Sequence, residues 1–250
     1  MTPKGALVTG AGTRLGRAMA EALGADGWTV AVHYRSSEGQ AQAVVDAIRA
    51  RGGRAEMFDC DLSEEAQRVS FWGRLNTFPG QPVTLLVNSA STFAEDSAGE
   101  HTRVDWDHHF EPNLRAPVHL AQLFAASLPD DERGLVVNLI DQRVLKLDPR
   151  FFTYTLSKAA LWQATQTMAQ AFAPRVRVNA IAPGPTLQSV HQTPEQFAAE
   201  KAATLTGEGG SPEEVVGALR YLIGASSVTG QMIACDGGQH LMWQTPDTQV

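Results

Sequence analysis

Short, nearly uninterrupted apolar runs alternate with amphipathic stretches along the whole chain, and this alternation limits the fold more than any other feature. Residues 6–9, 28–33, 55–58, 83–87, 135–140, 176–181 and 232–235 read as strands. Between them, residues 14–25, 38–50, 64–75, 106–127, 152–172 and 212–223 carry helical spacing; Leu15, Met19 and Leu23, for example, recur every four residues. Pro112 and Pro117 mark the places where the long central helix would kink. A strand that is apolar throughout is buried on both faces, which requires a parallel sheet with helices on each side. The expected fold is α/β: a single-domain, doubly wound parallel sheet of about seven strands.

Composition agrees and removes several function classes. A chain of 250 residues with 43% apolar and 19% charged residues can bury one large core. A formal net charge of −7 argues against nucleic acid or an anionic membrane as partner. Cys60 and Cys235 form neither a zinc spacing nor a disulfide framework. No stretch is apolar for long enough to span a membrane. A strand-like run from Gly5 leaves no signal-peptide pattern, so a cytoplasmic location is expected. His101, His108 and His109 near Asp105 and Asp107 read as a solvated helix end, and no metal is expected.

In a doubly wound sheet, ligands sit beyond the carboxyl ends of the strands. The segment after the first run is Thr9-Gly10-Ala11-Gly12-Thr13-Arg14-Leu15-Gly16, a glycine-rich turn opening a helix. Such a turn brings backbone amides up to a pyrophosphate. The second run ends in His33-Tyr34-Arg35-Ser36-Ser37. NAD-binding sheets carry an acid near here for the ribose 2′-hydroxyl. Arg35 and its neighbouring hydroxyls suit a 2′-phosphate instead, which favours NADPH/NADP+. Asp61-Leu62, after the third run, either holds an adenine edge or belongs to a helix cap. Asn88-Ser89-Ala90-Ser91 lies where a cofactor ribose would pass. Tyr154 and Lys158 stand four apart on a helix and share a face, so the ammonium would lower the phenol's pKa and make it a usable acid.

The glycine turn, Asn88-Ser89-Ala90, Asn113, the Tyr154/Lys158 pair, Pro183-Gly184 and Asp236-Gly237-Gly238 together resemble the short-chain dehydrogenase/reductase family, of Rossmann-like fold, over nearly the whole chain. The resemblance implies that Tyr154 donates a proton and that Lys158 binds the nicotinamide ribose. It makes Asn113 the holder of a relay water, sets Pro183, Gly184 and Thr186 against the nicotinamide, and suggests a homo-oligomer, a tetramer. Two positions depart from the family pattern: Arg14 replaces a usual glycine, and Asp141 replaces the serine thirteen residues before the tyrosine. Both departures resemble pteridine reductases and dihydromonapterin reductases, as do the end of the second strand and the Ala90-Ser91-Thr92-Phe93 segment. In that resemblance Phe93 stacks a flat pterin, while Ser91 and Arg14 contact pterin or phosphate.

The resulting expectation is a hydride transfer from NADPH to a small pterin-like molecule. Residues 1–90 would form mainly the dinucleotide-binding half. Residues 91–250 would form the catalytic and substrate-binding half, with a polar flap near residues 187–210. Two rival readings are a carbonyl or 3-oxoacyl reductase on the same fold and a catalytically silent NADP(H)-binding sensor.

Overall fold

The structure is a computed structural model that describes residues 4–244. Seven strands form one sheet in the order β3-β2-β1-β4-β5-β6-β7, with every neighbouring pair parallel. They are β1 Gly5–Val8, β2 Thr29–Tyr34, β3 Arg54–Asp59, β4 Val83–Asn88, β5 Gly134–Leu139, β6 Val176–Pro183 and β7 Met232–Cys235.

Side-chain alternation in the central strands divides the core in two. Ala6, Val8, Val30, Val32, Leu85 and Val87 face one way. They meet Met19 and Leu23 of α1 (Arg14–Ala25), Val44 and Ile48 of α2 (Glu38–Ala50), and Leu219 and Leu222 of α8 (Pro212–Gly224). Leu7, Ala31, Leu86 and Val136 face the other way. They meet Phe71 and Leu75 of α3 (Glu65–Leu75), Leu120 and Phe124 of α5 (Ala116–Ser127), and Met168 of α6 (Phe152–Phe172). Because both faces are covered, the central strands carry no polar face, as their apolar runs required, while the edge strand β3 exposes Arg54, Glu56 and Asp59.

Two stretches differ from the sequence expectation. The central helix starts earlier and is broken in pitch: α4 (Arg103–Phe110) leads into a π-helical turn, Glu111–Arg115, before α5. A π-turn satisfies its backbone through i→i+5 bonds, so it accepts an extra residue without ending the helix. The flap contains a helix of its own, α7 (Pro194–Ala202), opened by a reciprocal capping box between Thr193 and Gln196 with Pro194 in its first turn.

The strand order reverses between β1 and β4. Their carboxyl ends therefore diverge and open a crevice, the place where this architecture binds ligands. Thr9 ties the two lips together, its hydroxyl accepting from the amides of Ser89 at 2.9 Å and Ala90 at 3.0 Å.

Candidate active site

The crevice is a cleft of about 1320 Å³ whose lining includes residues following all seven strands. Ordinary small-molecule sites measure ~300–1,000 Å³, so this one has room for a dinucleotide and a second molecule.

At the dinucleotide end, Gly10 has φ +62°, and a Cβ there would stand 2.8 Å from the Cα of Ala90. Only glycine brings the turn this close to β4. Thr13, the N-cap of α1, makes no side-chain cap, so the first amides of that helix stay open toward the cleft. Thr13, Leu15, Tyr34, Arg35, Ser36, Asp61, Leu62, Ser89 and Ala90 all line the cleft, as expected. Tyr34 pairs in register with Asp59, but that acid is bonded to Arg74 at 2.7 Å. Among the described residues Arg35 has no ion-pair partner.

Four of the expected contact residues are also engaged by neighbouring groups of the protein. His33 lines the cleft but is 2% exposed, and both ring nitrogens are engaged: Nδ1 accepts from Gly10 N and Nε2 donates to Cys60 O, each at 3.0 Å. It braces the turn from behind, and burial lowers its pKa to about 4. Asn88 is buried outside the cleft lining, donating to Asn138 Oδ1 at 2.9 Å. It binds β4 to β5, and Ser89 and Ala90 present themselves in its place. Asp61 caps no helix: its carboxylate accepts from Ser63 N in a local turn, and Glu64 is the N-cap of α3. Arg14 holds a left-handed backbone, φ +51°, and donates to the flap carbonyls of Leu187 at 3.1 Å and Gln188 at 2.9 Å.

At the other end of the cleft, Tyr154 Oη donates to Asp141 Oδ2 at 2.9 Å. Asp141 Oδ1 accepts from Arg143 N at 2.8 Å, and Arg143 Nη1 lies 3.4 Å from Oδ2. Lys158 Nζ donates to Leu139 O at 2.9 Å and lies 5.8 Å from the Tyr154 ring centroid. Burial pulls the Lys158 ammonium down to about 8. Burial also raises the Tyr154 phenol well above its ordinary value, and the Asp141 charge raises it further. This direction opposes the lowering expected from Lys158: here desolvation and the carboxylate outweigh the ammonium. The phenol keeps its proton until something accepts it.

Asn113 sits beneath this centre with its amide fully committed. Its Oδ1 accepts from Ser91 Oγ at 3.0 Å and Thr92 N at 2.9 Å, and its Nδ2 donates to Thr92 O and Ser157 Oγ. Ser91 and Phe93 line the cleft. Phe93 does not present two free faces, because one is stacked on Phe151 with centroids 4.2 Å apart. Pro183, Gly184 and Thr186 line the wall opposite. A Cβ on Gly184 would meet Asp236 Cβ at 2.5 Å, so the Asp236-Gly237-Gly238 segment supports this wall through close approach.

Sequence reasoning missed Phe151, Arg143 and His191. Phe151 has φ +59°, a conformation costing a non-glycine residue roughly 1–2 kcal/mol. No sequence pattern announces a left-handed phenylalanine. Arg143 lies nearly equidistant from the Phe93 and Phe151 centroids, 5.5 and 5.3 Å. Its signal was its place two residues after Asp141, a spacing that favours a local carboxylate–amide turn. His191 reaches the same rings from the flap, 5.6 Å from Phe93.

A glycine turn beneath a dinucleotide-sized cleft, with a tyrosine–lysine helix at its far end, defines an oxidoreductase of the short-chain class. The family model for short chain dehydrogenases matches residues 4–198, and the chain belongs to that family. Among solved structures it is similar to the FolM alternative dihydrofolate reductase 1 from Brucella canis, complexed with NADP, at 46% identity and a TM-score of 0.94, covering 99% of this chain and 98% of that one. It is also similar to the promiscuous reductase LugOII, which catalyses a keto-reduction, at 30% identity and a TM-score of 0.87, covering 96% and 99%. The 3beta-hydroxysteroid dehydrogenase 1 of Eggerthella lenta is 33% identical over 95% of this chain and 94% of its own length.

Proposed function

We propose that this chain is an NADPH-dependent reductase of a pterin-like, dihydropteridine C=N bond, with Tyr154 as the proton donor. The observation that carries the reading is the Tyr154–Asp141 hydrogen bond beside the Phe93–Phe151 stack. An ionised carboxylate accepts hydrogen bonds and cannot donate one. Asp141 therefore offers an acceptor to a substrate N–H, where a serine would offer a donor to a ketone oxygen. The flat aromatic stack gives a planar heterocycle a surface to lie against.

The cofactor fits the residues at the dinucleotide end. The open amides of α1 and the Gly10 turn suit a pyrophosphate, and Arg35 with Ser36 suits a 2′-phosphate. Bound NADPH would supply a hydride to carbon. Tyr154 then gives its Oη proton to the substrate nitrogen, so that C=N becomes CH–NH. The raised phenol pKa keeps Tyr154 protonated until that transfer. Lys158 stays within electrostatic reach to restore the phenol, through water held near Asn113. Arg14, drawn toward phosphate or pterin, would release Leu187 and Gln188 and so couple binding to the flap. Residues 1–90 serve mainly the dinucleotide and residues 91–250 the substrate. The working protein is proposed to be a homo-oligomer, a tetramer as the family resemblance implies.

The relative named as an alternative dihydrofolate reductase supports the pterin reading. The relative named for keto-reduction supports a second one, carbonyl reduction. An NADPH-oxidation assay over dihydropterins, dihydrofolate and simple ketones separates them. The expected result is a dihydropterin kcat/KM at least about tenfold above any ketone. Efficient ketone turnover with no dihydropterin turnover would leave only the carbonyl reductase. Any turnover removes the silent sensor.

A further inference from the structure

The segment carrying Phe93 is fastened to the catalytic helix by a chain of hydrogen bonds that runs through the buried His109 and Thr153, with Asp105 O as a second, longer acceptor for the Thr153 hydroxyl at 3.4 Å. Ala94 N donates to His109 Nε2 at 3.1 Å. The other ring nitrogen, His109 Nδ1, lies 2.7 Å from Thr153 Oγ1. The Thr153 hydroxyl donates to the Asp96 carboxylate, which also accepts from Thr153 N at 3.1 Å. An amide can only donate, so Nε2 must be an acceptor and Nδ1 must carry the proton. Thr153 Oγ1 accepts that proton's bond and passes its own hydrogen to Asp96. The donors and acceptors therefore run in one direction from Ala94 to Asp96, and they fit only the neutral Nδ1–H tautomer of His109. His109 is 1% exposed and Thr153 fully buried, so water cannot substitute for either. Burial also lowers the His109 pKa, consistent with a neutral ring.

The chain's two ends matter for what adjoins them. Ala94 follows Phe93, and Thr153 precedes Tyr154. The Phe93 and Tyr154 rings meet edge to face, with centroids 4.7 Å apart, and His109 itself lies 5.9 Å from the Tyr154 ring. We propose that His109 is a positioning residue: through Ala94, Thr153 and Asp96 it sets the Phe93 stack against Tyr154 and so fixes where the substrate ring lies relative to the proton donor. The proposal rests on this end of the cleft being the substrate end, and not on the substrate being a pterin.

The test compares His109→Leu, which removes both bonds, with His109→Gln, whose amide offers one acceptor and one donor. 7,8-Dihydropterin and a simple ketone are both assayed, so that failure of the pterin reading does not blur the result. Leucine is expected to raise KM for whichever substrate is turned over by about tenfold or more, while NADPH Kd stays within twofold. Glutamine is expected to restore KM to within about threefold of wild type. Thr153→Val and Thr153→Ser repeat the comparison from the other side of the bond, and they decide the matter if His109→Leu does not fold. Valine should mimic leucine, and serine should mimic wild type. KM unchanged in the leucine variant, equal defects for leucine and glutamine, or a parallel loss of NADPH affinity would each overturn the assignment. The first would mean no positioning role, the second a role of volume alone, and the third a general structural role.

Discussion

His33 should make the fold acid-sensitive through the turn that faces the cofactor. With Gly10 N donating to Nδ1 and Nε2 donating to Cys60 O, a second proton on the ring has no place to go. Burial holds its pKa at about 4, against 6.5 for an exposed histidine. The unfolded chain therefore binds a proton that the folded chain refuses between those two values. This group's contribution is fully present above pH 6.5 and is lost as pH falls toward 4. At ~1.4 kcal/mol per pKa unit, the whole window is worth about 3 kcal/mol. Urea unfolding of wild type and His33→Gln, followed by tryptophan fluorescence from pH 7 to 4.5, isolates the effect. Glutamine cannot titrate, so the acid loss from other groups cancels in the comparison. Wild type should be the more stable protein at pH 7, and its advantage should shrink by about 2–3 kcal/mol by pH 4.5. An advantage that stays constant across the window would refute the argument that a neutral His33 braces the turn.

Three further outcomes are expected. Tyr154→Phe should lower kcat by roughly 100- to 10,000-fold, the range for general acid catalysis, with NADPH still bound by fluorescence titration. Arg35→Ala should weaken NADPH roughly 10- to 100-fold and leave NADH nearly unchanged, since one charge-assisted bond contributes about 1.5–3 kcal/mol. Asp141→Ser should lower kcat/KM for a dihydropterin by at least about tenfold, roughly 1.4 kcal/mol, while ketone reduction stays level or rises.

The layout of the sheet could be read from the chain because apolar runs buried on both faces permit few alternatives. The ends of α1, α2 and α6 were legible for the same reason, since the packed face of each sets its period. The π-turn was not, because Glu111–Arg115 has ordinary helix formers around Pro112 and its extra residue satisfies tertiary contacts. Tyr154 and Lys158 were legible as a spacing, and Asp141 through the family resemblance. Their electrostatics were not, because the rise in the Tyr154 pKa comes from burial and from a carboxylate brought near only by folding. The direction of the His33 and Asn88 side chains was not legible either. Both stand at strand ends, but the side chains point into the protein, where His33 and Asn88 hold the backbone that carries their neighbours.

The π-turn between α4 and α5 also places a constraint on chain length. An α-helix advances about 100° per residue, so inserting or deleting one residue turns everything beyond it by that angle. His109 on one side of the turn must face Ala94 and Thr153, while Leu120 and Phe124 on the other side must face the sheet. The irregular turn reconciles two helical phases that a continuous α-helix could not satisfy together. A one-residue deletion within Glu111–Arg115 would restore regular pitch, and it would swing either the substrate-side contacts or the core side chains out of place. Point substitutions on the exposed side of this stretch should be tolerated where a change in residue count is not, and homologous chains should align through it without gaps.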